Sequence, residues 1–334
     1  MKGLLRLGVV AALGLALLGL GLWQPAWVGA GALAAAVNAS SIVLGCLLLT
    51  LLTPLISGRW QALLAPGSRL GSGAVVLIVP MMLPVMLAMA WVYPWVGQDL
   101  EGFRGLWLSP GFFVLRTLVY GGLAWWIRGW AGRRSALGLI IYALVASLAA
   151  VDWLMSLLPG FVSSLFGLLL IARQLIDGLA FAGLCVLCWN VVLLPARQCV
   201  ILRGLLVGAL AFWVYVHFIQ YLIIWSVDLA HETHWYRLRQ PGLWGVLGAL
   251  LMVGQLACLA LLASPWGTRM WALQWGCAAI LLLGAVESIW ITLPSIFPEA
   301  AGGTVLTAVL CQGVYAIGLG AWWHRQWQRG RHDC

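Results

Sequence analysis

A chain of 334 residues with 63% apolar side chains, 8% charged ones, 22 tryptophans and a mean hydropathy of +1.02 lies far outside the composition of soluble globular proteins. The net charge of +9 is scattered through short segments instead of forming one basic stripe, which excludes nucleic-acid binding and fits the bias that orients membrane proteins. The apolar runs are long and continuous, without the alternation of barrel strands, so the expected fold is all-α, a polytopic membrane protein forming one integral membrane domain over 1–334.

Lys2 and Arg6 open the first apolar run, about 1–23. It is long enough to span a bilayer and stops at Trp23-Gln24-Pro25 without a small-residue cleavage site, so it reads as a span and not as a secretory signal. A second span is expected at about 28–56 and a third at about 73–95, where Pro80 and Pro84 should kink the helix. The fourth, about 110–127, carries Arg116. The fifth and sixth, about 136–158 and 160–192, meet at Pro159-Gly160 and read as a tight helical hairpin. Runs at about 204–226, 243–263, 271–293 and 304–323 bring the expectation to about ten.

The loops on alternate sides differ in charge. The N-terminus, four loops and the tail on one side carry thirteen basic residues, from Lys2 to Arg331, against three on the other, Arg104, Arg237 and Arg239. This asymmetry predicts cytoplasmic N- and C-termini, with Asp99, Glu101, Asp228, Glu232 and Glu299 on the outer face. The longest outer loop, 227–240, combines Glu232, His234, Trp235, Tyr236 and Arg237, a composition suited to docking an extramembrane partner.

Charged groups within apolar runs are costly and mark functional candidates. Here they are Arg116, Asp152, Arg173, Asp177, His217 and Glu287, with Asp228 at an outer end. Arg173 and Asp177 are spaced i,i+4 on one helix face and can neutralise each other. His217, Gln220, Tyr221 and Asp228 fall near one face of the seventh span. Asp152, Asp177, His217, Asp228 and Glu287 are therefore the candidate proton carriers, with Arg116 and Arg173 as charge partners; the alternative is static pairing, Arg116 with Asp152 or Glu287.

Metal chemistry is poorly served. His217 is the single histidine deep in a span, so a bis-histidine haem site cannot be assembled, and His231-Glu232-Thr233-His234 lacks the zinc-protease helix pattern. Six of the eight cysteines lie inside apolar runs, where they behave as small hydrophobes; Cys185-Val186-Leu187-Cys188 has redox spacing but sits mid-helix.

Two stretches carry a family resemblance. Asp152-Trp153-Leu154-Met155-Ser156-Leu157, Pro159 and Ser163-Ser164-Leu165-Phe166-Gly167 form one, and the block from Phe218-Ile219-Gln220-Tyr221 through Glu232-Thr233-His234-Trp235-Tyr236 the other. Together they resemble the F subunit of bacterial alternative complex III, a quinol-oxidising respiratory assembly; Leu108 to Arg116 and Glu287-Ser288-Ile289-Trp290 add weaker similarity. The chain departs from that family's pattern at Phe161-Val162, at Asp228-Leu229-Ala230-His231-Glu232 and at Glu287, and it is short for the family. The resemblance implies two four-helix bundles with flanking helices in the bacterial inner membrane. It implies assembly with a paralogous quinol-binding membrane subunit, an iron–sulfur subunit and cytochrome c subunits. Haem c and the iron–sulfur clusters then belong to the partners, no redox cofactor to this chain, and proton conduction to its candidate role, with quinol binding here left open. Two other readings stand beside it, a secondary transporter using Arg173 and Asp177 as its site, and a purely structural scaffold.

Overall fold

Pro25–Leu52 (α1) forms the axis of the molecule. It has no charged residue, Pro25 occupies the first turn where a missing N–H costs no helix bond, and from Gly29 to Leu51 nearly every position is buried. A helix apolar on all sides can face lipid or protein, and its near-complete burial shows that here it has neighbours on all sides. In the computed structural model, which describes residues 19–189, 194–299 and 302–332, those neighbours are helices throughout; no strand occurs among the described residues.

The helices follow in order as Trp60–Gly73 (α2), Ile78–Leu87 (α3), Met89–Val92 (α4), Gly102–Trp107 (α5), Pro110–Arg128 (α6), Ser135–Trp153 (α7), Phe166–Trp189 (α8), Ala196–Val227 (α9), Ala230–Arg237 (α10), Gly242–Ala263 (α11), Met270–Ile296 (α12) and Gly302–His332 (α13). Among the described residues eight helical segments are long and apolar enough to cross a membrane. The chain is a multi-pass, all-α membrane protein. The expected fourth span is α6, 19 residues long and less apolar than those eight because of Arg116. Of the expected first span only 19–23 falls within the described residues, as does all but the last few residues of the sixth.

Several expected boundaries move, among them the start of the seventh span, from about 204 to Ala196, and two bear on packing. The third span begins at Trp60, not at 73, and runs through a 3₁₀ segment, Ala74–Leu77, to Leu87. Its early turns look polar because Gly67, Ser68, Gly71 and Ser72 lower the local hydropathy, yet all four are buried. Their small size lets α2 lie close: a Cβ on Gly67 would press on the Ala182 backbone, and one on Gly71 would strike the Cys46 side chain. The 3₁₀ turn sits where Pro80 denies the Val76 carbonyl its α-helical partner.

The second shift is at the hairpin. Helix α8 starts at Phe166 instead of 160, and the connection includes a 3₁₀ turn, Met155–Leu157. Leu158 is extended, as a residue before proline prefers, and Gly160 takes a positive φ of 92° that L side chains rarely adopt. Phe161 then turns inward and stacks on Trp235, 5.4 Å between centroids and 19° between planes.

That stack ties α10 to the bundle. Trp235 is buried, with Phe161 on one side and Trp290 edge-on at 5.6 Å. Trp235→Ala is expected to lower stability by ~3–5 kcal/mol, read as an earlier unfolding transition in detergent.

Helices α1 and α8 cross with their backbones in contact. A Cβ on Gly45 would overlap the Gln174 carbonyl, and one on Gly178 would overlap the backbone of Gly45. Two apolar clusters flank this crossing. One joins α1, α3, α4, α6 and α7, with Leu33, Met82, Phe113 and Tyr142; the other joins α2, α8, α9, α11 and α12, with Leu64, Trp213 and Ile280.

Candidate functional site

Two separate charge clusters lie inside the bundle. In the first, α6 presents Arg116 to Asp152 near the end of α7. The pairing is two-pronged, Nε to Oδ2 at 2.6 Å and Nη2 to Oδ1 at 3.0 Å. Trp107 donates its indole N–H to Oδ1 at 3.0 Å and Tyr120 its hydroxyl to Oδ2 at 2.6 Å, so Asp152 accepts four hydrogen bonds. Arg116 donates Nη1 to the Trp107 carbonyl, and its guanidinium lies 4.2 Å from the Trp107 ring and 4.6 Å from that of Phe112. One cation meets one anion with lone pairs and N–H groups engaged. This is a charge-balanced tie between helices.

The second cluster is built across α1, α8, α9 and α12. Arg173 stands two turns into α8 and grips Asp177, one turn further on, through Nε at 2.8 Å and through Nη2. Its Nη1 donates to Glu287 of α12 at 3.0 Å, and Nη2 also reaches the Ile280 carbonyl at 2.8 Å. Ser41 of α1 donates to Asp177 at 2.7 Å, and the Trp213 indole faces both oxygens of Glu287 at 3.2 Å. His217, one turn along α9 from Trp213, brings Nε2 to within 3.2 Å of Glu287 Oε1. That distance suits an ion pair, but the ring is not aligned for a hydrogen bond, and Nε2 has no hydrogen-bond partner. Its Nδ1 lies 3.0 Å from the Trp213 carbonyl and its ring 3.9 Å from the Trp213 ring.

The charges here do not cancel. Two carboxylates face one guanidinium, all but fully buried. A net negative charge at this depth is expensive, so the cluster is stabilised by binding one more proton, on His217 or on a carboxylate. A void of about 30 Å³ borders Asn38, Ser41, Asp177, Glu287 and Ser288, roomy enough for a water among polar partners. Space is otherwise tight: a Cβ on Gly284 would overlap the Arg173 guanidinium.

The other candidates fall elsewhere. Asp228 is exposed at the end of α9, where its φ of 47° caps the helix, and it does not join the His217 cluster. Gln220 is buried and accepts a hydrogen bond from Ser163, while Tyr221 is half exposed. The expected docking loop is mostly helix α10, and its two aromatics are not free anchors: Trp235 is core and Tyr236 packs edge-on against Tyr221 at 5.3 Å. Only Glu232, His234 and Arg237 of that set remain toward the surface, because the amphipathic face of α10 turns its rings to the bundle.

Arg239, read from sequence as a loop cation, is 2% exposed. It donates to the carbonyls of Trp290 (3.1 Å), Trp235 (2.7 Å) and Ile291 (2.5 Å) and to the Ser295 hydroxyl (2.7 Å), and lies 3.6 Å from the Trp235 ring. Burial lowers its pKa from the ordinary arginine value, but a guanidinium so well supplied with acceptors keeps its charge. Ser41, Trp107, Tyr120 and Trp213 likewise complete the clusters without a signal in the sequence, since Ser41, Tyr120 and Trp213 are ordinary residues of apolar runs and Trp107 of an outer loop until the fold brings a carboxylate to each.

No family model and no curated protein matches the chain.

Proposed function

We propose that the chain is a cofactor-free integral membrane subunit of a quinol-oxidising respiratory complex of the alternative complex III kind, and that Asp177, Glu287 and His217 hold and pass a proton within it. The observation that carries the proton role is the charge imbalance around Arg173: two buried carboxylates, one guanidinium and an adjacent imidazole make a site that is neutral only when it holds an exchangeable proton. The water-sized void beside Asp177 and Glu287 supports exchange of that proton. Placement in the respiratory complex rests on the likeness of the 152–167 and 218–236 stretches to the F subunit. In this reading the paralogous subunit binds quinol, the partners carry haem c and iron–sulfur clusters, and the chain sits in the bacterial inner membrane with cytoplasmic termini.

A transporter that binds substrate at Arg173 and Asp177 is less well supported, because the Arg173 donors are engaged by the protein and the space beside them fits a water. In vesicles holding the reconstituted complex, Glu287→Gln and Asp177→Asn are each expected to leave assembly intact and depress proton translocation by at least about tenfold. Asp152→Asn is expected to do the reverse, lowering thermal stability while translocation per assembled complex is unchanged. Purification of the native chain without iron–sulfur or cytochrome subunits would overturn the partnership, and full translocation by both substituted forms would overturn the proton role.

A further inference from the structure

The cavity beside α10 is unlike the space around Arg173. It encloses about 530 Å³ between α9, α10 and α11 and is walled by aromatic rings, among them Tyr221, Trp235, Tyr236 and Trp290. Along one side its lining residues are open to the surroundings of the bundle: Phe218 is 56% exposed and Met252 36%. In a membrane protein that side faces acyl chains, so whatever enters comes from the bilayer.

At the inner wall stands Arg239. Its four hydrogen bonds go to carbonyls and a hydroxyl, all neutral, and among the described residues no carboxylate pairs with it. One N–H on Nη1 is left over from the five that a guanidinium offers. A buried cation with acceptors but no counter-ion keeps an unmatched positive field, and the cavity is the space into which that field extends. His217, buried and with Nε2 lacking a hydrogen-bond partner, lines the same cavity. Positive charge at one wall, rings around the sides and an edge open to lipid are together the complement of an amphiphile with an anionic head.

We propose that this cavity is a binding site for an acidic phospholipid, its phosphate held at Arg239 and its acyl chains running out past Phe218 and Met252. The volume admits the head and the upper part of a chain but not a whole two-chain lipid, so the tails lie along the exposed flank of α9 and α11. The site borders the proton role at His217, which lines it, while the carboxylates of Asp177 and Glu287 are absent from its lining.

The test uses the purified full chain with its native partners. Native mass spectrometry against phosphatidylglycerol and phosphatidylcholine of matched chains reads retention directly. The expected result is that phosphatidylglycerol is retained about five- to tenfold better than phosphatidylcholine, the gain of one buried cation on one anionic head. Ala249→Phe fills the mouth of the cavity from the exposed face of α11 without touching Arg239, and is expected to abolish that preference while the unfolding temperature without added lipid stays at the wild-type value. Arg239→Gln is expected to abolish it too, at some cost in stability because it also releases the Trp290 and Ile291 carbonyls. Equal retention of both lipids by the wild type overturns the proposal, as does an unchanged preference in Ala249→Phe.

Discussion

Arg173→Leu is expected to cost the protein ~3–5 kcal/mol, a large share of the ~5–15 kcal/mol that holds a domain folded. The substitution removes the single cation between Asp177 and Glu287, leaving two carboxylates at full burial with only Ser41, Trp213 and His217 to receive them. The penalty comes less from the lost attraction than from stranding charge where water cannot reach it. Denaturant or thermal unfolding in detergent measures it. Neutralising both acids in the same chain, with Asp177→Asn and Glu287→Gln, is expected to restore most of the loss, because the stranded charges vanish with the partner. If the single variant is as stable as the wild type, the charges are not buried as described.

Gly45→Val is expected to be at least as damaging, by a different route. At Gly45 and Gly178 the backbones of α1 and α8 touch, and the atom a side chain would strike is a main-chain carbonyl that no rotamer change can move aside. Overpacking that only displaces side chains costs ~1–3 kcal/mol; separating the two central helices should exceed that. Gly122 is the control. It sits within α6 with nothing near the position of an added Cβ, so Gly122→Ala is expected to be neutral or to gain ~0.5–1 kcal/mol from helix propensity. Melting curves of the two variants side by side decide it; an equal shift in both would remove the close crossing as the cause.

The sequence announces what depends on local pattern. Apolar runs of spanning length locate the helices, and the i,i+4 spacing of Arg173 and Asp177 announces their pairing. It also restricts Arg116 to Asp152 or Glu287, and the fold selects Asp152. What tertiary contact decides is not legible. Glu287 joins Arg173 from 114 residues away, and no spacing rule reaches that far. The start of the third span is hidden because Gly67, Ser68, Gly71 and Ser72 count as polar in a hydropathy window although they are the close-packing face of α2. Trp235 and Arg239 mislead for the same reason in reverse: in a short loop both suit a surface, and only the turn of α10 aims them at Phe161 and Trp290.

The α1–α8 crossing has a consequence for how the protein is made. Cys46 and Gly178, which meet there, are 132 residues apart in the chain. At ~5–20 residues per second of synthesis, α1 is in the membrane for roughly 7 to 26 s before the helix that closes over Gly45 leaves the ribosome. Throughout that interval the Gly45 surface of α1 lacks the helix that finally closes it, and small residues in a membrane invite any passing helix to pack against them. Synthesis therefore passes through an interval in which the central helix of the finished protein offers an unfilled packing surface, and keeping Gly45 clear of other helices until α8 arrives is a requirement set by the gene's order of segments.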